Sequence, residues 1–443
     1  VRFLDFFAGS AFFIVYYYYA GKKRLKRPRK VLCSMLNTLL TLRDVQETYD
    51  WFTHMRADQP VWLDEKSGCW HVFRYEDVLR VSTDYAVFSS EGRPRRFARS
   101  SRSENQAPNL LTMDPPRHRQ YRNLVSPTFT PRALAPLAER ISAIVQELLD
   151  QVRHQGHMDV IADLAYPLPT TVIATMLGLP LSDRPRFKAW ADALFSRQLS
   201  DEELFNSPED LDKRPEFQQA NRAMDEMYGY FEQMLAERRR QPRADMISDL
   251  LAAEVEGEHL SQAEILSFCT LLLLAGHVTT TNLLGQAIRC LDAQPEAMRQ
   301  FRAHPELSAS AVEEVLRYAS PVWRLTRVTT QEVELSGIRI PANELVFAWL
   351  ASANRDERQF AEPERFDITR TPNRQIAFGH GIHFCIGAPL ARMEATIALP
   401  MMLGQLPGLR AASDQPLELL PSRFLFGVRK LPVIFDAPSV VPA

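Results

Sequence analysis

The chain has 443 residues, 46% of them apolar and 24% charged, and a formal net charge of −2. That balance excludes a disordered chain and a polybasic nucleic-acid binder, and the length allows one large hydrophobic core. The five cysteines (Cys33, Cys69, Cys269, Cys290, Cys385) are odd in number and show no C-x-x-C or zinc spacing, so a reducing, cytoplasmic setting without disulfides is expected.

The first 34 residues stand apart from the rest. Residues 6–20 (FFAGSAFFIVYYYYA) are aromatic and apolar, and residues 22–30 (KKRLKRPRK) are almost all basic. The apolar run is shorter than the ~20 residues of a spanning helix, and the basic block follows it, where a secretory signal has it in front. Residues 1–34 therefore read either as an anchor-like extension with weak membrane association or as an over-long start, and residues 35–443 as the globular domain. From about residue 42 the pattern predicts an amphipathic helix over 45–55. A hairpin of strands 61–63 and 70–73 follows, turned at Lys66, Ser67 and Gly68, and then a short helix over 75–82. Residues 88–109 form a long polar segment carrying Arg93, Arg95, Arg96, Arg99 and Arg102, either a solvated loop or one that faces a substrate.

Asp114 before Pro115 and Pro116 is a helix-start signal, and it places His118 and Arg122 four apart on one helical face. Helices are expected over 134–154, 165–177, 183–195 and 217–240, with the acidic, proline-punctuated stretch 199–215 as a surface connection. Residues 261–291 carry the longest helical pattern, ~45 Å at 1.5 Å per residue. Ser261 and Glu264 form a capping box at its start, and residues 271–275 are apolar all round, as in a core helix. Gly276, His277, Thr279, Thr280 and Asn282 then interrupt it, which argues against a membrane span. Glu314 and Arg317 stand three apart on a further helix and can pair. Residues 328–340 and 344–350 alternate like strands of a small sheet.

Residues 378–392 (FGHGIHFCIGAPLAR) isolate Cys385 among glycines and aromatics. Gly379, Gly381 and Gly387 permit backbone conformations closed to other residues. Backbone N–H groups aimed at the sulfur would keep it deprotonated, with Phe378 and Phe384 excluding water. The apolar spacing that follows predicts a buried helix whose positive N-terminal end faces the thiolate. A structural cysteine beside a glycine-rich turn is the alternative.

The pattern Phe378-x-x-Gly381-x-x-x-Cys385-x-Gly387, continued by Ala391 and Arg392, resembles the haem-binding loop of the cytochrome P-450 family. The resemblance extends over residues 42–435 and includes five motifs in the family's order. It implies a mainly α fold with a small β region, and haem b held between the long central helix and the cysteine loop. Cys385 would be the axial ligand, a thiolate that pushes electron density toward O–O cleavage. His118, Arg122, Arg327 and His383 match the partners of the haem propionates, and Phe378, Gly387 and Ala275 match positions beside the cofactor. The run Ala275-Gly276-x-x-Thr279-Thr280 resembles the oxygen-binding groove, with Gly276 leaving room for O2 and the Thr279 hydroxyl as donor. Glu314, Arg317 and Arg365 resemble the family's buried ion-pair triad, and Pro321, Val322 and Trp323 stand where relatives line the pocket.

The implied reaction inserts one oxygen atom from O2 into an apolar substrate, by hydroxylation or epoxidation of a fatty acid, terpenoid, steroid or polyketide-like molecule. No flavin or iron–sulfur pattern is present, so a monomer fed by a separate ferredoxin and ferredoxin reductase is expected. A peroxide-driven enzyme is the alternative, against which Thr279 speaks. A non-catalytic haem sensor or carrier is another, opposed by Thr279, Glu314 and Arg317 together. One position departs from the family: most members carry Asp or Glu before the threonine, and here it is Val278. A valine cannot carry a proton, so a water chain through Thr279, Thr280 or Asn282 is expected to take its place, with His277 turned away.

Overall fold

A computed structural model describes residues 42–91, 109–196, 208–255, 258–412, 417–420, 422 and 424–437. The extension 1–34, residues 199–207 and the arginines Arg93, Arg95, Arg96, Arg99 and Arg102 lie outside them. The fold is mainly helical and is built around Gln262–Asp292, the central helix. Its start is the expected capping box: Ser261 Oγ accepts from the Glu264 N–H, and the Glu264 carboxylate accepts from the Ser261 N–H at 2.8 Å. Two orphan N–H groups of the first turn are thereby satisfied. Among the described residues this is the one helix long and apolar enough to cross a membrane. It lies instead in the core, sheathed by Pro167–Leu177, Pro215–Arg240, Ser308–Tyr318 and Ala388–Gln405, and residues 280–288 are all buried.

The helix expected over 134–154 divides into Pro131–Leu134 and Leu137–Val152 on either side of Pro136, whose ring removes the N–H that a continuous helix would use. A five-stranded sheet runs in the order Val61–Asp64, Cys69–Val72, Leu345–Trp349, Arg324–Thr329, Phe88–Ser89. The first two strands form the expected antiparallel hairpin, and Cys69–Val72 then lies parallel to Leu345–Trp349. Phe88–Ser89 opens the segment read as an irregular loop, yet both residues are buried and pair with Thr329 and Val328. A two-residue strand carries no alternation of its own; its partner defines it.

A buried ion cluster fastens the helix Ser308–Tyr318 to the segment that leads into the cysteine loop. Glu314 and Arg317 are fully buried and joined by two 2.8 Å bonds, the fork geometry that compensates a buried charge best. The third cation is Arg370, not Arg365. Arg370 Nε lies 3.2 Å from Glu314 Oε2, whereas the Arg365 guanidinium points outward to Glu362 at 3.3 Å and only its carbonyl reaches Arg317. Glu314 also accepts from the Asp367 N–H at 2.8 Å and Asn373 Nδ2 at 3.1 Å, so the loop 367–373 wraps one carboxylate.

Candidate active site

The cysteine loop folds as its glycines require. Gly379 and Gly381 have φ of +70° and +73°, and a Cβ on Gly381 would lie 3.0 Å from Thr83 Cα. Left-handed backbone and close approach coincide there, so no other residue fits. Gly387 differs from expectation: its φ is an ordinary −82°, and a Cβ there would meet Cys385 Sγ at 4.0 Å, an ordinary contact, so neither backbone nor protein neighbours demand glycine. The Cys385 N–H donates to Phe378 O at 3.0 Å, closing the loop on itself.

Cys385 is open on one side and walled by protein on the others. Burial pushes its thiol pKa up, while the backbone N–H groups of Gly387 and Ala388 and the guanidinium groups of Arg122 and Arg392 oppose that rise. The helix Ala388–Gln405 starts three residues beyond, so its positive end lies at the sulfur. Arg392 on that helix sits 4.6 Å above the Phe378 ring and is fixed by Glu313 at 2.6 and 3.0 Å. Sequence reasoning missed this pair, because its members lie 79 residues apart and neither belongs to a local pattern. Phe384 stands edge-on to Phe378 at 6.3 Å but is itself exposed, so only Phe378 is placed to shield the loop.

Four expected cofactor-binding side chains converge beside the loop. Arg122 donates to Ile382 O at 2.9 Å and Phe384 O at 2.7 Å, clamping the two residues that flank His383. The His118 and His383 rings lie 4.4 Å apart, and Ser90 Oγ is 3.0 Å from His383 Nε2. Arg327 is buried, and its charge acts on both imidazoles. Burial foremost, then Arg327 and His118, drives the His383 pKa down to about 4; burial followed by Arg122 lowers that of His118. Asp114, 3.9 Å from His383 Nε2, opposes the fall on both rings. Sequence reading saw in Asp114 only a helix start, yet it also accepts from Ser89 Oγ and the Ser90 N–H, anchoring the strand end beneath His383. A cluster of cationic and imidazole groups in which, among the described residues, Asp114 is the acid that acts on both rings, and in which His118 Nε2 is buried and unpaired, fits a bound group that carries carboxylates. Haem propionates meet that description, and the thiol among backbone N–H groups fits an iron ligand.

On the central helix, Ala275 and Thr279 share one open face, and Thr279 Oγ1 donates to Ala275 O at 2.8 Å. Gly276 does not leave open room as expected: a Cβ there would meet Ile173 Cγ1 at 3.1 Å, so the glycine lets Pro167–Leu177 pack closely. Thr280 is buried and points its hydroxyl to Gly276 O at 3.4 Å. His277 faces the opposite side, as expected. It is fully buried, its Nδ1–H donates to Leu273 O, its ring meets Tyr166 edge-on at 5.6 Å, and burial lowers its pKa to about 4.

Residues 61–407 match the family model described as Cytochrome P450. The chain is 39% identical over 379 residues to the putative cytochrome P450 YjiB of Bacillus subtilis, covering 85% of this chain and 91% of that protein. It is 40% identical over 390 residues to the cyclomarin C epoxidase CymV of Salinispora arenicola, covering 87% and 95%. The crystal structure of CYP109E1 from Bacillus megaterium in complex with testosterone superposes with a TM-score of 0.80 at 38% identity, covering 88% of this chain and 98% of that one.

Proposed function

Because the chain belongs to the cytochrome P450 family, we propose that it is a monooxygenase that binds haem b through Cys385 and inserts one atom of O2 into an apolar substrate. Membership makes it an oxidoreductase with oxygenase activity on small organic molecules. The haem supplies reductive activation of O2 when bound. The protein's part begins with the sulfur: the N–H groups of Gly387 and Ala388 and the start of Ala388–Gln405 oppose the rise that burial imposes on the Cys385 pKa and would favour its thiolate once iron binds, with Phe378 packed over the loop. Arg327, His118 and His383 would hold the propionates, and Arg122 fixes the loop that carries Cys385. Thr279 presents its hydroxyl on the open face next to Ala275, where it can give a proton to a reacting oxygen. Gly276 and Thr280 serve this face indirectly, by helix packing and by tying up the Gly276 carbonyl.

The substrate reading is a bulky apolar molecule, hydroxylated or epoxidised, of the size of the steroid bound by the Bacillus megaterium relative or the cyclomarin C named for the Salinispora one. Electrons come from a separate ferredoxin and its reductase. The observation that carries the proposal is the thiol of Cys385 facing an opening among backbone N–H groups, beside a cluster of Arg327, His118 and His383 that Asp114 alone does not balance. Haem-loaded protein should give the thiolate-type spectrum of the reduced carbon monoxide complex, and Cys385→His should lose it; survival of that spectrum in the variant would refute the ligand. Product formation with NADPH and a surrogate ferredoxin system, absent with peroxide alone, separates this reading from a peroxide-driven enzyme.

A further inference from the structure

Both ends of the cysteine loop are tied to one carboxylate outside the buried ion cluster. Glu313 precedes Glu314 on the helix Ser308–Tyr318, and about 100° of helical rotation separates the two side chains. Glu314 is fully buried, whereas the Glu313 side chain is 27% exposed. Arg392, seven residues beyond Cys385 and 34% exposed, lays its guanidinium on Glu313 as a fork: Nε donates to Oε1 at 2.6 Å and Nη2 to Oε2 at 3.0 Å. Gln375 Nε2 donates to the same Oε2 at 2.9 Å, and Gln375 Oε1 accepts from the Ala377 N–H at 2.6 Å. Residues 375–377 lead into the loop and Arg392 lies on the helix that leads out, so one carboxylate links the two.

Ion pairs as exposed as this one contribute little to stability, so holding the fold together does not account for it. Glu314, one residue later, already fastens this helix to the loop 367–373. What distinguishes Glu313 is the cation it holds. The Arg392 charge reaches Cys385, where it favours the thiolate, and its guanidinium rests 4.6 Å from the ring of Phe378, whose carbonyl accepts from the Cys385 N–H at 3.0 Å. An unpaired guanidinium there would act on the sulfur as a full charge. Paired with Glu313 it presents a dipole, and the two opposite Coulomb terms largely cancel at a distance.

We propose that Glu313 is a positioning residue that holds Arg392 over Phe378 and offsets its charge, and so sets how much electron density the Cys385 sulfur passes to iron. The inference rests on the monooxygenase reading above, through Cys385 as the ligand. An unbalanced cation beside the sulfur favours the ferrous state, which carries one electron more than the ferric, and an unbalanced anion favours the ferric. No bond forms or breaks in that step, and the electron comes from a reduced mediator. Removing the two charges singly therefore moves the couple in opposite directions, whereas a structural defect moves both variants the same way.

The test is a dithionite titration, with mediator dyes, of the full chain loaded with haem, after the reduced carbon monoxide spectrum has shown the thiolate in each variant. Glu313→Gln, which keeps an acceptor for Arg392, should raise the one-electron equilibrium constant for reduction roughly threefold to tenfold, at ~59 mV per tenfold. Arg392→Gln should lower it by a similar factor, and the double variant, which carries neither charge, should lie between them. Glu313→Asp keeps the charge, should restore the wild-type potential and guards against a fold defect in the glutamine variant. Both single shifts should shrink at about 1 M salt, where exposed charges are screened within ~3 Å. Shifts of one sign in both single variants, or potentials equal to wild type in both, overturn the proposal. A wild type without the thiolate-type spectrum would overturn the monooxygenase reading and this inference with it, while an intact spectrum with unmoved potentials overturns the inference alone.

Discussion

Glu394 is a carboxylic acid buried where nothing compensates its charge. It lies on the helix Ala388–Gln405, nine residues beyond Cys385; it is 1% exposed, and its Oε2 has no partner. Burial alone raises its pKa well above the usual 4.5. The folded protein therefore keeps this carboxyl protonated at pH values where the unfolded chain has released the proton. The sign follows from that difference. Stability is fully present below the unfolded pKa and is lost as pH rises toward the folded one, because the native state binds the extra proton. Between those two values each pH unit removes about 1.4 kcal/mol. Glu394→Gln keeps the volume and an uncharged polar group but cannot ionise. Urea unfolding of haem-loaded wild type and variant should give equal stability near pH 4.5, and the variant should gain about 1.4 kcal/mol per pH unit above it. A difference that stays flat from pH 5 to 8 would mean that Glu394 ionises in the folded state, or finds a partner there, and would refute the argument.

Two further expectations are more local. Arg370→Met should cost about 1.5–3 kcal/mol in thermal or urea unfolding, the range for a hydrogen bond to a buried charge, because Glu314 keeps Arg317 but loses its second cation. Arg365→Met should cost less than about 1 kcal/mol, since its pair with Glu362 is exposed on both sides; the reverse order would restore Arg365 to the cluster. Thr279→Ala should uncouple NADPH consumption from product, whereas His277→Ala, on the far side of the helix against Tyr166, should leave the product-to-NADPH ratio unchanged. Equal ratios in the two variants would show that the open face of this helix does not deliver the proton.

What could be read from the sequence divides by the distance over which each feature is specified. The capping box at Ser261 and Glu264, the hairpin around Gly68 and the left-handed glycines at 379 and 381 are decided within a few residues, and each stands where its pattern put it. The choice between Arg365 and Arg370 is of another kind. Both follow Glu314 by about fifty residues, both lie in the same loop, and only the path of the chain through Asp367 and Asn373 turns one inward. The same holds for Gly276, which reads as space above a site until Ile173, about a hundred residues earlier, is seen to fill it. Gly427 carries no signal at all in its own neighbourhood; its necessity comes from Asn282, whose side chain occupies the place of the missing Cβ. Buried polar residues on an apolar helix were thus visible as interruptions in the sequence, but an interruption does not say which way it faces. Direction came from the partners: Tyr166 for His277, Gly427 for Asn282, Arg289 for Gln286, and the open side of the helix for Thr279. The departure at Val278 divides the same way: the missing acid is plain in the sequence, whereas which polar residues share the face of Thr279 follows only from the helix, on which Asn282 and Gln286 lie about one and two turns further along.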